Sequence, residues 1–445
     1  MIIQTTVCAD SGDDRHRTTA TTHPLHGTVR VPGDKSITHR AILFGLLAAG
    51  ETTVDGWLDA ADCRSSISVA RQLGADVEIR GSSLSIRGTG GQLHAPEDVL
   101  DCGNSGTTMR MFTGALAARV PFACVSGDAS LRKRPMQRIL QPLREMGADV
   151  HIGSNGTAPF AIRGTNLQGI EYTLPVASAQ VKSAVLIAGC LAAKETTVVV
   201  ERTASRDHTE NMLPAFGATM RRMSLEGGGY RIEVNPNQTL QGTHVVVPGD
   251  MSSAAFLLAA AALVPGSSVS VLDVGLNKGR TGILNVLKRM GAKVEIANER
   301  IMAGEPIGDV TVSHHQLLAT DILPDEVPAI VDEIPLIAVL AAFAEGETVI
   351  HGAEELRVKE TDRIHATVAG LRAIGVDAQE LPDGMRIRGQ SSVQGGKIDS
   401  FHDHRIAMSF AVAGLLTKHP IHIENWSCVA ISFPTFLDVM DEVRR

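Results

Sequence analysis

Lys35, Ser36 and Arg40 stand together in the stretch KSITHR, and an Ala/Leu-rich run follows directly. The same association of cations, small polar residues and an apolar run recurs along the chain. Asn104, Thr107 and Arg110 open one run, with Arg132, Lys133 and Arg134 shortly after it. Ser178, Gln180 and Lys182 open another, with SRDHTE from Ser205 after it. Asp332 and Glu333 open a third, followed by RVKETDR with Arg357, Lys359, Glu360, Asp362 and Arg363; HDHR with Arg405 opens a fourth. Cations and N–H groups at helix starts attract anions. Taken singly, each motif also fits a bland reading: a solvated charge, a helix cap, or an exposed salt-bridged helix in the case of RVKETDR. Taken together, many cations with two carboxylates among them fit a doubly anionic ligand and acid–base chemistry.

The elements that must position these residues form a repeat. Polar openings near 33, 102, 178, 249, 332 and 403 each lead into an apolar helical stretch, a short turn and a β-branched run. Five of the six units close on phrases such as QLGADVEI or RMGAKVEI, where Gly marks a helix end before a strand. The last unit stops at VMDEVRR, before any such strand. Units of roughly 70–80 residues are too long for the common solenoids. Each reads as a βαβαββ-like fold, and VPGDKS at Val31–Ser36 returns as VPGDMS at Val247–Ser252. The expected architecture is therefore α/β with two halves of three units. Residues 32–247 form one domain, and 25–31 plus 248–445 form the other. The chain crosses near 31–33 and 247–249, and the strand LHGTVRV joins the second half. Met251 replaces Lys35 in the second phrase, so the fourth unit is expected to bring little charge to the ligand before NKGR at 277–280.

Bulk properties narrow the function. A net charge of −8 and 3% aromatic residues disfavour a general nucleic-acid surface. The longest apolar runs fall short of the ~20 residues that span a bilayer. The six cysteines are scattered without a CxxC pair and read as reduced cytoplasmic thiols. No HExxH is present, and no metal site or other cofactor is expected. Residues 1–24 are polar and read as a disordered tail.

VPGDKSITHR, DCGNSGTTMR, RKRPM, ASAQVKSA, SRDHTE, RVKETDR and HDHRIAM together resemble the 5-enolpyruvylshikimate-3-phosphate synthase family, from about residue 26 onward. The resemblance implies two domains, each of three βαβαββ units about a pseudo-threefold axis (an inside-out α/β barrel), closing on a cleft. It implies transfer of the enolpyruvyl group of phosphoenolpyruvate to the 5-hydroxyl of shikimate 3-phosphate, with release of phosphate, on the route to chorismate and the aromatic amino acids. It implies a cytoplasmic monomer without metal, whose partners are these two small molecules and neither nucleic acid nor membrane. By resemblance, Lys35, Ser36, Arg40, Ser178, Ala179, Gln180, Ser205, Asp332 and Lys359 bind shikimate 3-phosphate, with Arg206 a weaker match. Lys35, Gly106, Arg134, Gln180, Arg363 and Arg405 bind phosphoenolpyruvate, and Asp332, Glu360 and Lys35 are catalytic.

Some positions depart from the pattern. Ala179 stands where many members have a second Ser, so one phosphate contact falls to the backbone. CVAISFP at 428–434 lacks the lysine that many members carry before their FP pair, and Met111 follows Arg110 where some have Pro. Two alternatives remain at this stage. UDP-N-acetylglucosamine enolpyruvyl transferases share the fold and donor but carry a reactive Cys five residues before an Arg-Pro pair; Ala129 holds that place here. Cys124, in the run PFACV, reads as a core thiol. The other alternative is a non-catalytic anion-binding paralogue, against which Lys35, Asp332 and Glu360 speak.

Overall fold

The computed structural model of the chain describes residues 14–302 and 304–444. Each polar opening becomes a helix start: Lys35–Leu47, Gly106–Arg119, Ala179–Leu191, Met251–Leu263, Ile334–Phe343 and His404–Ala413. Asp34, Ser105, Ser178, Asp250 and Asp403 cap five of them, each side chain accepting a backbone N–H of the first turn. Capping satisfies donors that the helix itself leaves unpaired. The fifth helix differs. Glu333 occupies its cap position in a helical conformation without a capping bond, so Asp332 is not a cap and its carboxylate is available elsewhere.

These helices are buried nearly all round; every residue of Met251–Leu263 is buried. A helix without a polar face belongs inside, and Ala lets such helices approach closely. At one close crossing a Cβ on Gly114 would enter the backbone of Ala184. Two apolar cores result. One draws on residues from Ile37 to Val247; the other takes Leu25, Val29 and Val31 together with residues from Met251 to Val443.

Among the described residues, six small sheets accompany the helices. In the first unit, His244–Val246 runs parallel to Glu51–Asp55, which pairs antiparallel with Ser83–Arg87 and through it with Asp76–Arg80. The fourth unit repeats this arrangement with His26–Val29 as the parallel edge strand beside Ser268–Val271. The sixth unit departs from expectation. Arg15–Thr18 pairs antiparallel with Ile421–Glu424 and supplies the strand that the C-terminal sequence lacks. Residues 15–18 are therefore part of a sheet and not a disordered tail, while residues 1–13 lie outside the described residues. The segment is fastened further. Asp14 accepts from the N–H and hydroxyl of Ser427 at 2.5 and 2.7 Å, and His16 stacks on Trp426 at 4.2 Å. Among the described residues no helix is long and apolar enough to cross a membrane.

The two VPGD phrases bind each other. Gly33 and Gly249 form an antiparallel bridge, Asp34 donates its N–H to Pro248 (2.7 Å), and Asp250 donates to Pro32 (2.9 Å). The chain thus passes between the cores as a two-stranded crossing. Space there is minimal, since a Cβ on Gly33 would drive into the carbonyl oxygen of Gly56. Gly33→Ala is expected to destabilise the protein by about 1–3 kcal/mol through forced overpacking. A urea-denaturation midpoint equal to that of the parent would show that the crossing can relax.

Candidate active site

A cleft of about 530 Å³ opens between the cores, and residues of all six openings line it. Lys35, Ser36, Arg40, Gly106, Arg134, Ser178, Ala179, Gln180, Ser205, Asp332, Lys359, Glu360, Arg363 and Arg405 all face this one space. The first core's helices bring the polar groups of residues 35–40, 106–110 and 178–180. The second brings both carboxylates and the residues from 359 to 363.

Arg40 is held rigidly. Its guanidinium donates to Thr209 Oγ1 (2.8 Å), Ser183 Oγ (2.8 Å) and the Ser36 carbonyl (3.0 Å). Burial pulls its pKa down to about 10 against the opposing pull of Glu210 and Asp34. Arg110 donates to Gln180 Oε1 at 2.8 Å, and the Gln180 amide donates in turn to Thr107 (3.1 Å), which orients that amide. Ser178 is spent partly on its own helix cap. Ser205 donates both its N–H (3.2 Å) and its hydroxyl (2.7 Å) to Glu201.

Glu201 belongs to a buried triad. Lys182, fully enclosed, pairs with Glu201 at 2.8 Å and Glu210 at 2.7 Å. Removing one partner of a buried pair leaves the others uncompensated. Lys182→Met is expected to cost about 3–5 kcal/mol and to loosen Ser205 and Arg40 together. A thermal or urea transition unchanged in that variant would mean that the two glutamates find protons or water at little cost.

On the facing side, Arg363 gathers three carboxylates: Glu360 (2.6 Å), Asp403 (2.7 Å) and Asp332 (3.3 Å). Asp332 also meets Arg206 (2.6 Å), Arg280 (3.5 Å) and Arg405 (3.6 Å). Burial alone would raise the Asp332 pKa, but Arg405, Arg206, Lys359 and Arg363 outweigh it and hold the carboxyl well below its usual range. Glu360 behaves alike: burial opposes ionisation, and Arg363 and Arg134 overcome it. Lys35 pairs with Asp62 at 3.1 Å. Burial works against its ammonium, yet Asp62 and Glu360 help to hold its pKa above the ordinary value. Lys359 is drawn down by burial despite Glu355 at 3.2 Å, which is its recorded partner rather than Glu360.

Ion pairs that tie the two sides together include Arg134–Glu360 (3.3 Å), Arg138–Glu355 (3.4 Å) and Arg206–Asp332 (2.6 Å). The cleft thus holds cations in excess: most lean on a carboxylate of the opposite or the same side, while Arg40 and Arg110 are held by hydroxyl, carbonyl and amide oxygens.

Several lining residues were not singled out from the sequence: Asp62, Arg138 and Glu355, and Asp250 and His404 inside the quoted VPGDMS and HDHR motifs. Arg280 is the cation that the fourth unit brings to the cleft, and it comes from NKGR, where that unit's charge was expected to begin. Met251 is buried, but Arg280 from NKGR reaches Asp250 (2.7 Å), Asp34 (3.5 Å) and Asp332. It joins both crossing turns to the cleft. The motif carried a visible cation, and its position outside the repeated opening hid its destination. Cys124 is half-buried and not the core thiol expected, although its strand neighbours Ala123 and Val125 are in the first core, and it does not line the cleft.

Comparison with known proteins agrees with this geometry. The family model described as EPSP synthase (3-phosphoshikimate 1-carboxyvinyltransferase) matches residues 19–440. The chain is 48% identical over 424 residues to the 3-phosphoshikimate 1-carboxyvinyltransferase of Oceanobacillus iheyensis, covering 95% of this chain and 97% of that one. It is 50% identical over 427 residues to the enzyme of the same name from Synechococcus sp. strain WH7803, covering 94% and 96%. The solved EPSP synthase of Acinetobacter baumannii superposes with a TM-score of 0.84 at 43% identity, covering 96% of this chain and 98% of that one. The two-domain inside-out α/β fold and the full span of these matches establish that the chain belongs to the EPSP synthase (3-phosphoshikimate 1-carboxyvinyltransferase) family.

Proposed function

We propose that the cleft carries out the reaction for which its family is named, with the residues in the following roles. Lys35, Ser36, Arg40, Ser178, the Ala179 backbone, Gln180, Ser205 and Lys359 hold shikimate 3-phosphate. A phosphate at Ser205 draws that hydroxyl off Glu201. Lys35, Gly106, Arg134, Gln180, Arg363 and Arg405 hold phosphoenolpyruvate, since guanidinium forks suit phosphate and carboxylate.

Asp332 takes the proton of the 5-hydroxyl as its oxygen bonds to C2 of the donor. The π electrons of the double bond take a proton at the methylene carbon from Glu360. The tetrahedral intermediate then loses phosphate: the C2–O(phosphate) bond breaks, a methyl proton returns to Glu360, and Asp332 gives its proton to the departing phosphate. Before the substrates bind, both carboxyls are held ionised by arginines. The donor's phosphate and carboxylate take over those arginines, the field at each carboxyl weakens and its pKa rises, so that Glu360 takes up from solvent the proton it lends to the methylene carbon and later recovers. Fixed cations stabilise the charge on the leaving phosphate.

The observation that carries this reading is the meeting of Asp332 and Glu360 on one buried arginine, Arg363, in a cleft otherwise rich in cations. Free thiols at all five described cysteines suit a cytoplasmic setting, and a cleft completed by one chain suits a monomer. Phosphate release from phosphoenolpyruvate, measured with shikimate 3-phosphate and separately with UDP-N-acetylglucosamine, tests the assignment. Release only with the second acceptor, or with neither, would overturn it.

A further inference from the structure

Adjoining the cleft is a second cavity, of about 800 Å³. Arg134, Val358, Lys359 and Glu360 line both spaces, so the Arg134–Glu360 ion pair stands in the partition between them. That pair joins the two domains, and the partition is therefore made of side chains that can exchange partners.

The charges around the second cavity are unevenly engaged. Asp128 is occupied by Asn104 (2.7 Å) and the Leu131 N–H (2.7 Å). Asp362 is occupied by Arg357 (2.7 Å) and the His365 N–H (3.0 Å), which also ties down Arg357. Glu360 is occupied by its two arginines. Lys133 from the first domain and His402 from the second line the same cavity and are exposed. Among the described residues neither side chain has a recorded ion pair or hydrogen bond. Phe401 and His402 are also held at left-handed φ values of 52° and 58°, a costly conformation for a bulky side chain such as Phe401. Phe401 is pinned there by its N–H to Asp399 at 2.7 Å. The turn sets an imidazole at the wall of a cavity that also carries an uncommitted ammonium.

We infer that this cavity is a passage for the small anions of the reaction: inorganic phosphate leaves through it, and the donor enters by it. The inference rests on the proposed function, in which phosphate is the leaving group. Arg134 faces both spaces, so an anion freed beside it can be passed from the cleft to the second cavity. Lys133, next in sequence, then offers a cation with no competing carboxylate. The phosphorylated acceptor, held against Lys35 and Arg40, need not be released first.

The reverse reaction gives the cleanest test, because inorganic phosphate must then enter. Lys133→Glu combined with His402→Glu reverses the charge of the passage without altering any residue assigned to either substrate. Its KM for phosphate is expected to rise about tenfold or more, as loss of electrostatic focusing predicts. The KM for the enolpyruvyl shikimate phosphate should stay unchanged, and the salt dependence of phosphate use should flatten. Ala129→Trp narrows the same cavity without changing charge. It is expected to hold forward steady-state turnover below the single-turnover rate measured by rapid quench. An unchanged phosphate KM and salt dependence in the double variant, with an active parent, would overturn the passage. A parent that does not turn over these substrates would overturn the function itself, which separates the two failures.

Discussion

Asp332→Ala is expected to lower turnover by about 10²–10⁴-fold, the range for loss of a placed general base, while both substrates still bind. The carboxylate stands within 3.6 Å of four guanidinium groups, those of Arg206, Arg363, Arg280 and Arg405. Deleting it makes the cleft more positive, so anion affinity should hold or increase even as kcat collapses. The fold should tolerate the change, because Arg363 keeps Glu360 and Asp403, Arg280 keeps Asp250, and Arg405 keeps Glu333. Only Arg206 loses its one recorded ion-pair partner, on the far side of the cleft. The measurement is kcat and KM together with calorimetric binding of shikimate 3-phosphate. Near-normal kcat removes Asp332 from the proton transfer, and abolished binding makes it a structural residue.

Lys35→Met should act in the opposite way, on affinity for both anions at once. Removing one partner of a desolvated charge pair costs roughly 2–5 kcal/mol, which at about 1.4 kcal/mol per decade is on the order of 30-fold to several thousand-fold. The backbone has already accepted this substitution in its second copy, where Met251 follows the same turn and is buried. The local cost falls on Asp62, whose nearly buried carboxylate loses its ammonium. Lys35→Met with Asp62→Asn relieves that cost and isolates the effect on ligands. Full affinity for shikimate 3-phosphate and for a donor analogue in the double variant would mean that Lys35 serves Asp62 and not the substrates.

The repeat was legible because its signal is local. A capping residue, a cation and an Ala/Leu run within a dozen residues declare a helix start, and Asp34, Ser105, Ser178, Asp250 and Asp403 all cap as their types suggest. The cleft was legible for the same reason, since its ligand-facing groups lie at those starts. What escaped was long-range. Asp62 lies on the second helix of its unit, Ala61–Gln72, and Arg280 follows a strand, so neither shares the phase of the openings. The four residues RHRT carry no alternation that marks a strand. They become one because Ile421–Glu424 offers an unpaired edge. A polar segment of four residues gives no local cue to a partner at the other end of the chain.

That strand also sets a schedule for synthesis. Ile37 to Val247 supplies the whole of one core, which can assemble while later residues are still being made. Arg15–Thr18 leaves the ribosome well before its partner Ile421–Glu424, which is translated about 400 residues later. At about 5–20 residues per second, the strand waits on the order of 20–80 s unpaired. His26–Val29 waits in the same way for Ser268–Val271. The second domain is thus the last to close and the most exposed to chaperones and proteases during translation. Slowing the ribosome late in the message should harm the yield of this protein more than slowing it early.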